Sequence, residues 1–205
     1  MQAERVTIYF DGLCQPKNPG GVACYGFVVQ NDWWFLQTGD GLASEPLSLE
    51  ATNNVAEYTG LLKALEWLLA NQYEGTSLTI RGDSELVIYQ LDGTYQVKST
   101  SIIYLHDKIE ALLRRFRNIA LEWIPGEENK EADFLTRKAY IETLDKNAEL
   151  HEALEAEFAT EKQLAFLRRL KVQPEKYLSK REAKFLIAER LNQLSAINNT
   201  YSHPH

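Results

Sequence analysis

Cysteine is scarce in this sequence: only Cys14 and Cys24 occur among 205 residues, and they are not spaced as a CxxC motif. Disulfide scaffolds and structural zinc sites both need clustered cysteines, so we expect neither of them here. Such sparing use of thiols is typical of a reducing compartment, and we expect a cytoplasmic protein.

Long apolar runs are also missing, and proline is sparse. The N-terminal segment MQAERVTIYF contains no extended hydrophobic stretch, so we expect neither a signal peptide nor a membrane span. With 6 prolines and 44% hydrophobic residues, the composition is that of a folded globular chain. A length of 205 residues predicts one ordinary domain with an appendage.

Positive charge is rare over most of the chain and then becomes abundant. Residues 1–161 contain 13 Lys+Arg and 26 Asp+Glu, whereas residues 162–190 contain 9 and 3. The overall net charge of −7 hides this reversal of sign. The asymmetry predicts two parts with different electrostatic roles.

The order of strand-like and helix-like patterns predicts a mixed sheet. Three β-forming runs come first, at residues 5–11, 22–30 and 33–41. The later elements are a helix at 52–70, a strand at 77–83, helices at 85–91 and 101–116, a strand at 118–125 and a helix at 129–144. Short connections favour antiparallel pairing, and a helical crossover favours parallel pairing. We therefore predict an α/β fold whose five-stranded sheet has three antiparallel strands followed by two parallel ones.

The C-terminal part differs in texture from the preceding 145 residues. The acidic, alanine-rich segment 146–160 predicts one solvated linker helix. The sequences TEKQ and SKRE at residues 160–163 and 179–182 both fit a capping box, which opens a helix. We expect a main domain in 1–145, a small all-α extension formed by a basic helical hairpin in 161–198, and a flexible tail in 199–205.

Two predicted strands end in a bare aspartate, at Asp11 and Asp83. An unpaired carboxylate at such a place is costly unless water, a cation or another partner receives it. If the two strands are parallel neighbours, their carboxyl ends meet at one edge, where ligands bind in open α/β sheets. The alternative for Asp11, which precedes Gly12, is an ordinary turn aspartate.

Two helices contribute further acids, Glu57 in the first turn of the 52–70 helix and Asp133 early in the 129–144 helix. The alternative for Glu57 is a favourable interaction with the helix macrodipole, which attracts acids to first turns. The alternative for Asp133 is a solvated surface acid. Each acid taken alone is a weak indication of function.

Four motifs occur in order on the predicted elements: DGLCQPKNPGG, TNNVAEY, GDSELVIYQLDG and IPGEENKEADFLTRKA. Together they resemble type 1 ribonuclease H, in the compact form found in archaea and some bacteria, from residue 5 to about residue 142. The resemblance implies that residues 1–145 form a catalytic domain, a metal-dependent endonuclease that hydrolyses the RNA strand of RNA–DNA hybrids in R-loops and primers. The alternatives are a catalytically weak hybrid-binding module and another nuclease of the same superfamily.

The resemblance also implies the site residues. Its four motif acids fall on Asp11, Glu57, Asp83 and Asp133, which are expected to be catalytic and to hold two divalent cations, Mg²⁺ or alternatively Mn²⁺. Two such ions can clamp the attacking and leaving oxygens of a phosphodiester, and Mg²⁺ prefers carboxylate oxygens. Expected contacts to the hybrid are Gly12, Cys14, Asn18, Asn53, Asn54, Ser84 and Gln90.

Some of these contacts have a second interpretation. Asn53 and Asn54 are also suited to helix capping, and Cys14 to packing as a small buried residue. The sequence also departs from the common family pattern: the loop 123–129 has no histidine, the loop after the first strand is one residue longer, and no basic, Trp-rich substrate handle is present. Glu127 and Glu128 are either substitutes for the histidine or plain surface acids.

The basic extension is a candidate replacement for the missing handle. Its expected phosphate contacts are Arg168, Arg169, Lys171, Lys180, Arg181 and Lys184, with Lys176 and Arg190 nearby in sequence. The alternatives are a solvated helix pair, a dimerisation element and a site for a protein partner. We expect a monomer.

Overall fold

The computed structural model of the chain describes residues 5–201, with side chains as far as residue 196. The chain divides into two compact units, one ending at Asn147 and the other beginning at Ala148. The predicted tail begins too early, because the last helix continues to Tyr201, and residues 202–205 lie outside the described range. Among the described helices, none is long and apolar enough to cross a membrane.

Within its described residues, 5–147, the first unit contains five strands and four α-helices. In chain order they are β1 (Arg5–Gln15), β2 (Val22–Asn31), β3 (Phe35–Leu42), α1 (Asn53–Ala70), β4 (Ser77–Gly82), α2 (Glu85–Leu91), α3 (Thr100–Leu113), β5 (Arg117–Trp123) and α4 (Lys130–Lys146). The strands form one sheet in the order β3-β2-β1-β4-β5. Strands β1, β2 and β3 pair antiparallel, and β4 pairs parallel with both β1 and β5. The predicted mixed sheet is confirmed.

Strand β1 lies at the centre of this sheet, and over its first half one face is fully buried while the other is partly exposed. Val6, Ile8 and Phe10 are fully buried, while Thr7 and Tyr9 between them are partly exposed. Helix α1 packs against β1 and β2. The helix begins where the Thr52 hydroxyl accepts a hydrogen bond from the Val55 amide at 3.1 Å, a typical N-cap.

The prediction that the first strand ends at Asp11 is wrong. Strand β1 continues to Gln15, because β2 keeps pairing with it as far as Gln15 opposite Val22. On the other side of β1, the parallel partner β4 stops at Gly82, opposite Phe10. Asp11 therefore lies beside the end of β4, at the point where β1 no longer pairs with that strand.

The second unit begins with α5 (Ala148–Leu154) and a 3₁₀ turn (Glu155–Glu157). The predicted single solvated helix over 146–160 is therefore wrong. The segment packs within its own unit, because the rings of His151, Phe158 and Tyr177 lie 5.2–5.5 Å apart. Phe158 also forms an antiparallel bridge with Ser179, which draws the chain out of the helical conformation.

Two capped helices complete this unit, α6 (Glu161–Arg169) and α7 (Lys180–Tyr201). Both capping boxes are present, at Thr160 with Gln163 and at Ser179 with Glu182. The helices do not form the predicted hairpin, since the segment between them returns the chain to the starting end of α6. The Gln163 amide donates to the Lys180 carbonyl at 3.1 Å near the start of both helices.

The other end of α6 gives the same direction. The Arg190 guanidinium, in the middle of α7, donates to the Leu170 carbonyl at the end of α6, with an Nε–O distance of 3.3 Å. The two helices therefore run in the same general direction. Their shared core contains the buried side chains Leu167, Leu178 and Ala183.

Candidate active site

The register of the parallel strands brings the first two predicted acids together. Because Phe10 lies opposite Gly82, Asp11 and Asp83 each come one residue later on neighbouring strands. Asp11 is buried, with 9% of its surface exposed, and Thr136 of α4 lies beside it. The Thr136 hydroxyl donates to the Asp133 carbonyl at 2.7 Å and lies 3.4 Å from Asp11 Oδ2.

Glu57 reaches this edge because Gly12 lets α1 approach β1 at Ala56 and Glu57, just after the first turn, which contains no acid, contrary to expectation. A Cβ atom at Gly12 would lie 2.2 Å from the Glu57 amide nitrogen, so no larger residue fits. The Glu57 carboxylate is buried, and both of its oxygens accept hydrogen bonds. Ser84 Oγ donates to Oε2 at 2.6 Å, and Asn53 Nδ2 donates to Oε1 at 2.8 Å.

Asp83 is held by a residue that sequence reasoning missed. Asn129 Nδ2 donates to Asp83 Oδ1 at 2.8 Å and to the Phe10 carbonyl at 2.9 Å, so it links the ends of β1 and β4. Asn129 is almost completely buried, and its Oδ1 has no hydrogen-bond partner among the described residues. The available signal was an amide at the N-cap of the helix that carries Asp133.

Asp133 lies on the first turn of α4 and is exposed. Helix α4 crosses β2 at Gly26, where a Cβ atom would lie 2.5 Å from the Ala132 carbonyl oxygen. This close approach brings the start of α4 over the sheet edge that carries Asp11. The predicted four acids thus come from two strands and two helices that meet at one edge.

The ionisation of the buried acids shows that the four carboxylates share one electrostatic environment. Burial, and then the charges of Asp83 and Asp133, raise the pKa of Asp11 to about 7. Burial also raises the pKa of Glu57 to about 8; the Ser84 hydrogen bond opposes this, and the charges of Asp11 and Asp83 add to it. Clustered like charges in a poorly solvated place favour proton uptake or a bound cation.

The donor set of this site is entirely oxygen, which suits a hard divalent cation such as Mg²⁺. Within residues 5–201, no three His, Cys, Asp or Glu side chains converge as a preformed metal cage.

Two of the predicted substrate contacts bind an acid of the site, and two others line a polar cleft. The side chains of Asn53 and Ser84 donate to Glu57. Asn18 Oδ1 accepts a hydrogen bond from the backbone N–H of Asn53 at 3.3 Å. Asn54 is exposed on the first turn of α1. Its side chain lies in a cleft of about 380 Å³ whose polar lining residues are Asn18, Glu50, Thr52, Asn54, Ser99 and Ser101.

The other three predicted contacts have internal roles. Gly12 is buried under α1, and the Cys14 thiol lies 3.0 Å from the buried Ala51 carbonyl, so the packing interpretation describes Cys14. Gln90 is 7% exposed and uses both ends of its amide. Its oxygen accepts from the Tyr58 hydroxyl at 2.8 Å, and its nitrogen donates to the Gln96 carbonyl at 3.2 Å. The structure leaves Gln90 little surface for substrate.

The loop between β5 and α4 contains a 3₁₀ turn (Gly126–Glu128). Glu127 and Glu128 are exposed on it, as surface acids would be. The adjacent Trp123 indole donates to the Asp83 carbonyl at 3.1 Å. The loop thus supports the backbone of Asp83 from one side while Asn129 holds its carboxylate.

Comparison with known proteins agrees with this architecture. Residues 23–139 match the reverse transcriptase-like family, which is more than half of the chain. The bifunctional protein Rv2228c of Mycobacterium tuberculosis is 37% identical over 136 residues, which are 66% of this chain and 35% of that protein. The chain therefore spans about a third of the length of that relative.

Two further relatives are ribonucleases by name. Ribonuclease HI of Halobacterium salinarum is 32% identical over 135 residues, covering 66% of this chain and 64% of that protein. The crystal structure of LC11-RNase H1 in complex with an RNA/DNA hybrid superposes with a TM-score of 0.61 and 31% identity, covering 68% of this chain and 99% of that one. Sheet order, motif order and these relatives together show that the chain belongs to the type 1 ribonuclease H family.

Proposed function

We propose that this chain is a metal-dependent endonuclease that hydrolyses the RNA strand of RNA–DNA hybrids, with R-loops and replication primers as its natural substrates. The observation that carries the proposal is the meeting of Asp11 and Glu57, both buried, with Asp83 and Asp133 at one sheet edge. A purely structural cluster of four acids would be unfavourable for folding. A reaction that needs four negative charges at one place would account for this cluster.

The four carboxylates are the residues that would hold two divalent cations, Mg²⁺ or Mn²⁺. Such ions, when bound, activate a water molecule and stabilise the charge on the leaving oxygen. Oxygen-only donors support this choice of ion, and burial of Asp11 and Glu57 supports a strong gain from neutralising their charge. The chain's own contribution is to place the carboxylates and limit their motion.

Three polar side chains perform this placement. Ser84 and Asn53 each donate to one oxygen of Glu57, so the carboxylate cannot rotate without losing a hydrogen bond. Asn129 fixes Asp83 relative to the Phe10 carbonyl, which immediately precedes Asp11. Because these bonds exist before substrate arrives, less ordering remains to be done during the reaction.

The polar cleft that contains Asn54 is the proposed contact with the hybrid. Besides one acid, Glu50, its lining has neutral donors and acceptors in the amides of Asn18 and Asn54 and the hydroxyls of Thr52, Ser99 and Ser101. Neutral groups of this kind can bond to a 2′-hydroxyl, which is both donor and acceptor and distinguishes RNA from DNA. LC11-RNase H1, whose fold this chain shares, was crystallised with an RNA/DNA hybrid.

The proposal is tested by incubating the full chain with a labelled RNA–DNA hybrid in Mg²⁺ and in Mn²⁺, with DNA duplex and double-stranded RNA alongside. Asp11→Asn is expected to abolish cleavage, because it removes one charge at the centre of the site. Asp107→Asn is the matched control, since the Asp107 side chain is 74% exposed on α3. Tight binding of the hybrid without cleavage in either metal would contradict the nuclease and favour the hybrid-binding module.

A further inference from the structure

The C-terminal unit concentrates its nine cations in residues 162–190, whereas five of its eight acids lie in residues 149–161. Arg168, Arg169, Lys171, Arg181 and Lys184 are all exposed, and none of the five makes an ion pair among the described residues. The segment 162–190 contains only three acids, and one of these, Glu182, is engaged in the capping box with Ser179. These five cations therefore face solvent.

The placement of one of these cations opposes the stability of its helix. Arg181 lies in the first turn of α7, next to the positive end of the helix macrodipole, where acids are the favourable residues. Lys180 at the same end donates to the Ala156 carbonyl, so its ammonium has a structural role. Nothing comparable accounts for Arg181 and Lys184 within their own unit.

An aromatic side chain accompanies these cations. Phe185 is 66% exposed and lies one turn after Arg181, directly after Lys184. Helix α7 packs its opposite face, through the buried Ala183 and the partly buried Ile187, against the core of the unit. A solvent face with cations around an aromatic ring is typical of surfaces that bind the backbone and bases of nucleic acids.

The charge of the first unit is a second argument for a nucleic-acid site in the C-terminal unit. Residues 1–147 contain 21 acids and 13 cations, and several of those cations are already ion-paired with a neighbouring acid. Lys63 pairs with Glu66, Lys138 with Asp40 and Lys146 with Glu142. An acidic unit that must hold a polyanion gains affinity from unpaired cations elsewhere in the chain.

We propose that the face of the C-terminal unit formed by Arg169, Arg181, Lys184 and Phe185 is a second nucleic-acid site, which binds the phosphate backbone of the hybrid that the first unit cleaves. The choice of hybrid as ligand rests on the proposed function. Backbone contacts carry no sequence information, so this face adds affinity without adding specificity. It takes the place of the basic handle that the first unit does not contain.

The test compares two triple variants of the full chain that remove the same charge. The first is Arg169→Gln, Arg181→Gln and Lys184→Gln; the matched control is Lys63→Gln, Lys138→Gln and Lys146→Gln, whose cations are ion-paired. Binding to a labelled hybrid and to a DNA duplex of the same sequence is measured against salt concentration in an Asp11→Asn background. Thermal unfolding of each variant shows that the fold is kept.

Each phosphate contact contributes about 0.9 to the slope of log affinity against log salt. Losing three contacts therefore lowers the slope by about 2.7. Between 50 and 200 mM salt, the affinity of the parent should then fall about 40-fold more than the affinity of the variant. We expect the first variant to lose this salt dependence equally on hybrid and DNA duplex, and the control to stay within about twofold of the parent. Equal slopes for the two variants would overturn the proposal and leave a protein partner as the occupant.

Cleavage by the parent chain is measured separately, so that the two proposals fail independently. A chain that cuts the hybrid while the two variants bind alike keeps the nuclease and loses the second site. A chain that does not cut, but whose first variant alone loses its salt dependence, keeps the second site and loses the nuclease. The Phe185→Ala variant adds a third readout, with an expected loss of affinity for single-stranded overhangs.

Discussion

Burial of Glu57 predicts how the stability of the metal-free protein depends on pH. The carboxylate is buried, and both of its oxygens accept hydrogen bonds. The Glu57→Gln substitution removes the charge and preserves the shape. The new amide oxygen still accepts from Asn53, and the new amide nitrogen can donate to Ser84 Oγ, which a hydroxyl oxygen can accept. The variant should therefore fold as before, and its stability should report on ionisation alone.

The magnitude follows from the pKa of Glu57, which burial raises from 4.5 to about 8. A raised carboxyl pKa means that the folded state binds a proton more tightly than the unfolded state, so stability present below pH 4.5 is lost as pH rises towards 8. With about 1.36 kcal/mol per tenfold change in proton affinity, ionisation of Glu57 costs at most about 4 kcal/mol at pH 8 and about 1 kcal/mol at pH 5.

We therefore expect Glu57→Gln to be more stable than the parent by up to about 4 kcal/mol at pH 8 and by about 1 kcal/mol at pH 5, in EDTA. The measurement is urea unfolding followed by tryptophan fluorescence at the two pH values. Excess Mg²⁺ should then stabilise the parent by about 2.7 kcal/mol at one hundred times the dissociation constant. The same Mg²⁺ should stabilise the variant much less.

Glu66→Gln is the matched control, because Glu66 lies on the same helix and is exposed beside Lys63. Its stability difference from the parent should be small and the same at both pH values. If the difference between Glu57→Gln and the parent does not grow from pH 5 to pH 8, the carboxylate is not destabilised by burial. The electrostatic account of the site would then be refuted.

Asn129→Ala should lower the rate of hybrid cleavage at least tenfold with less than a twofold change in KM, because it frees Asp83 without touching the substrate cleft; a change confined to KM in steady-state kinetics would contradict this. Gly12→Ala should destabilise the chain by about 3 kcal/mol in urea unfolding, since a Cβ there would lie 2.2 Å from the Glu57 amide, and an unchanged midpoint would refute that packing. Gln90→Ala should cost about 1–3 kcal/mol in the same assay while KM for the hybrid stays within about twofold; a large rise in KM would restore Gln90 as a substrate contact.

The sheet and the four acids could be predicted because their signals are local. Alternating apolar residues mark β1, helical leucine spacing marks α1, and one crossover rule makes β1 and β4 parallel. Once these two strands are neighbours, Asp11 and Asp83 must lie side by side. The interpretation of Asn53 as a capping residue is wrong, because Thr52 is the N-cap and the Asn53 side chain donates to Glu57 instead.

What the sequence did not indicate depends on pairs of residues far apart in the chain. Asn129 acquires its importance from Phe10 and Asp83, which are 119 and 46 residues away. Strand β1 continues past Asp11 only because Val22 and its neighbours provide a second strand to pair with. Gln90 was predicted to contact substrate; its buried hydrogen-bond partner, the Tyr58 hydroxyl, lies 32 residues away in the chain.

In the C-terminal unit, too, the features signalled by adjacent residues could be predicted, and those that depend on distant residues could not. The capping boxes at Thr160 and Ser179 were readable because each is contained in four consecutive residues. The direction of α7 relative to α6 was not, since it depends on the bridge between Phe158 and Ser179 and on the reach of Gln163 to Lys180. A ten-residue connection was compatible with either direction of the second helix.

The distribution of charge along the chain follows from a conflict within the proposed reaction. The carboxylates that would hold the cations also repel the phosphates of the substrate, and screening is weak where Asp11 and Glu57 are buried. Adding cations beside the acids would neutralise them and displace the metal ions. Neutral donors such as the Asn18 and Asn54 amides can contact the hybrid without that competition. Under the proposal of a second nucleic-acid site, the cations of residues 162–190 attract the polyanion while the four active-site acids keep their charge.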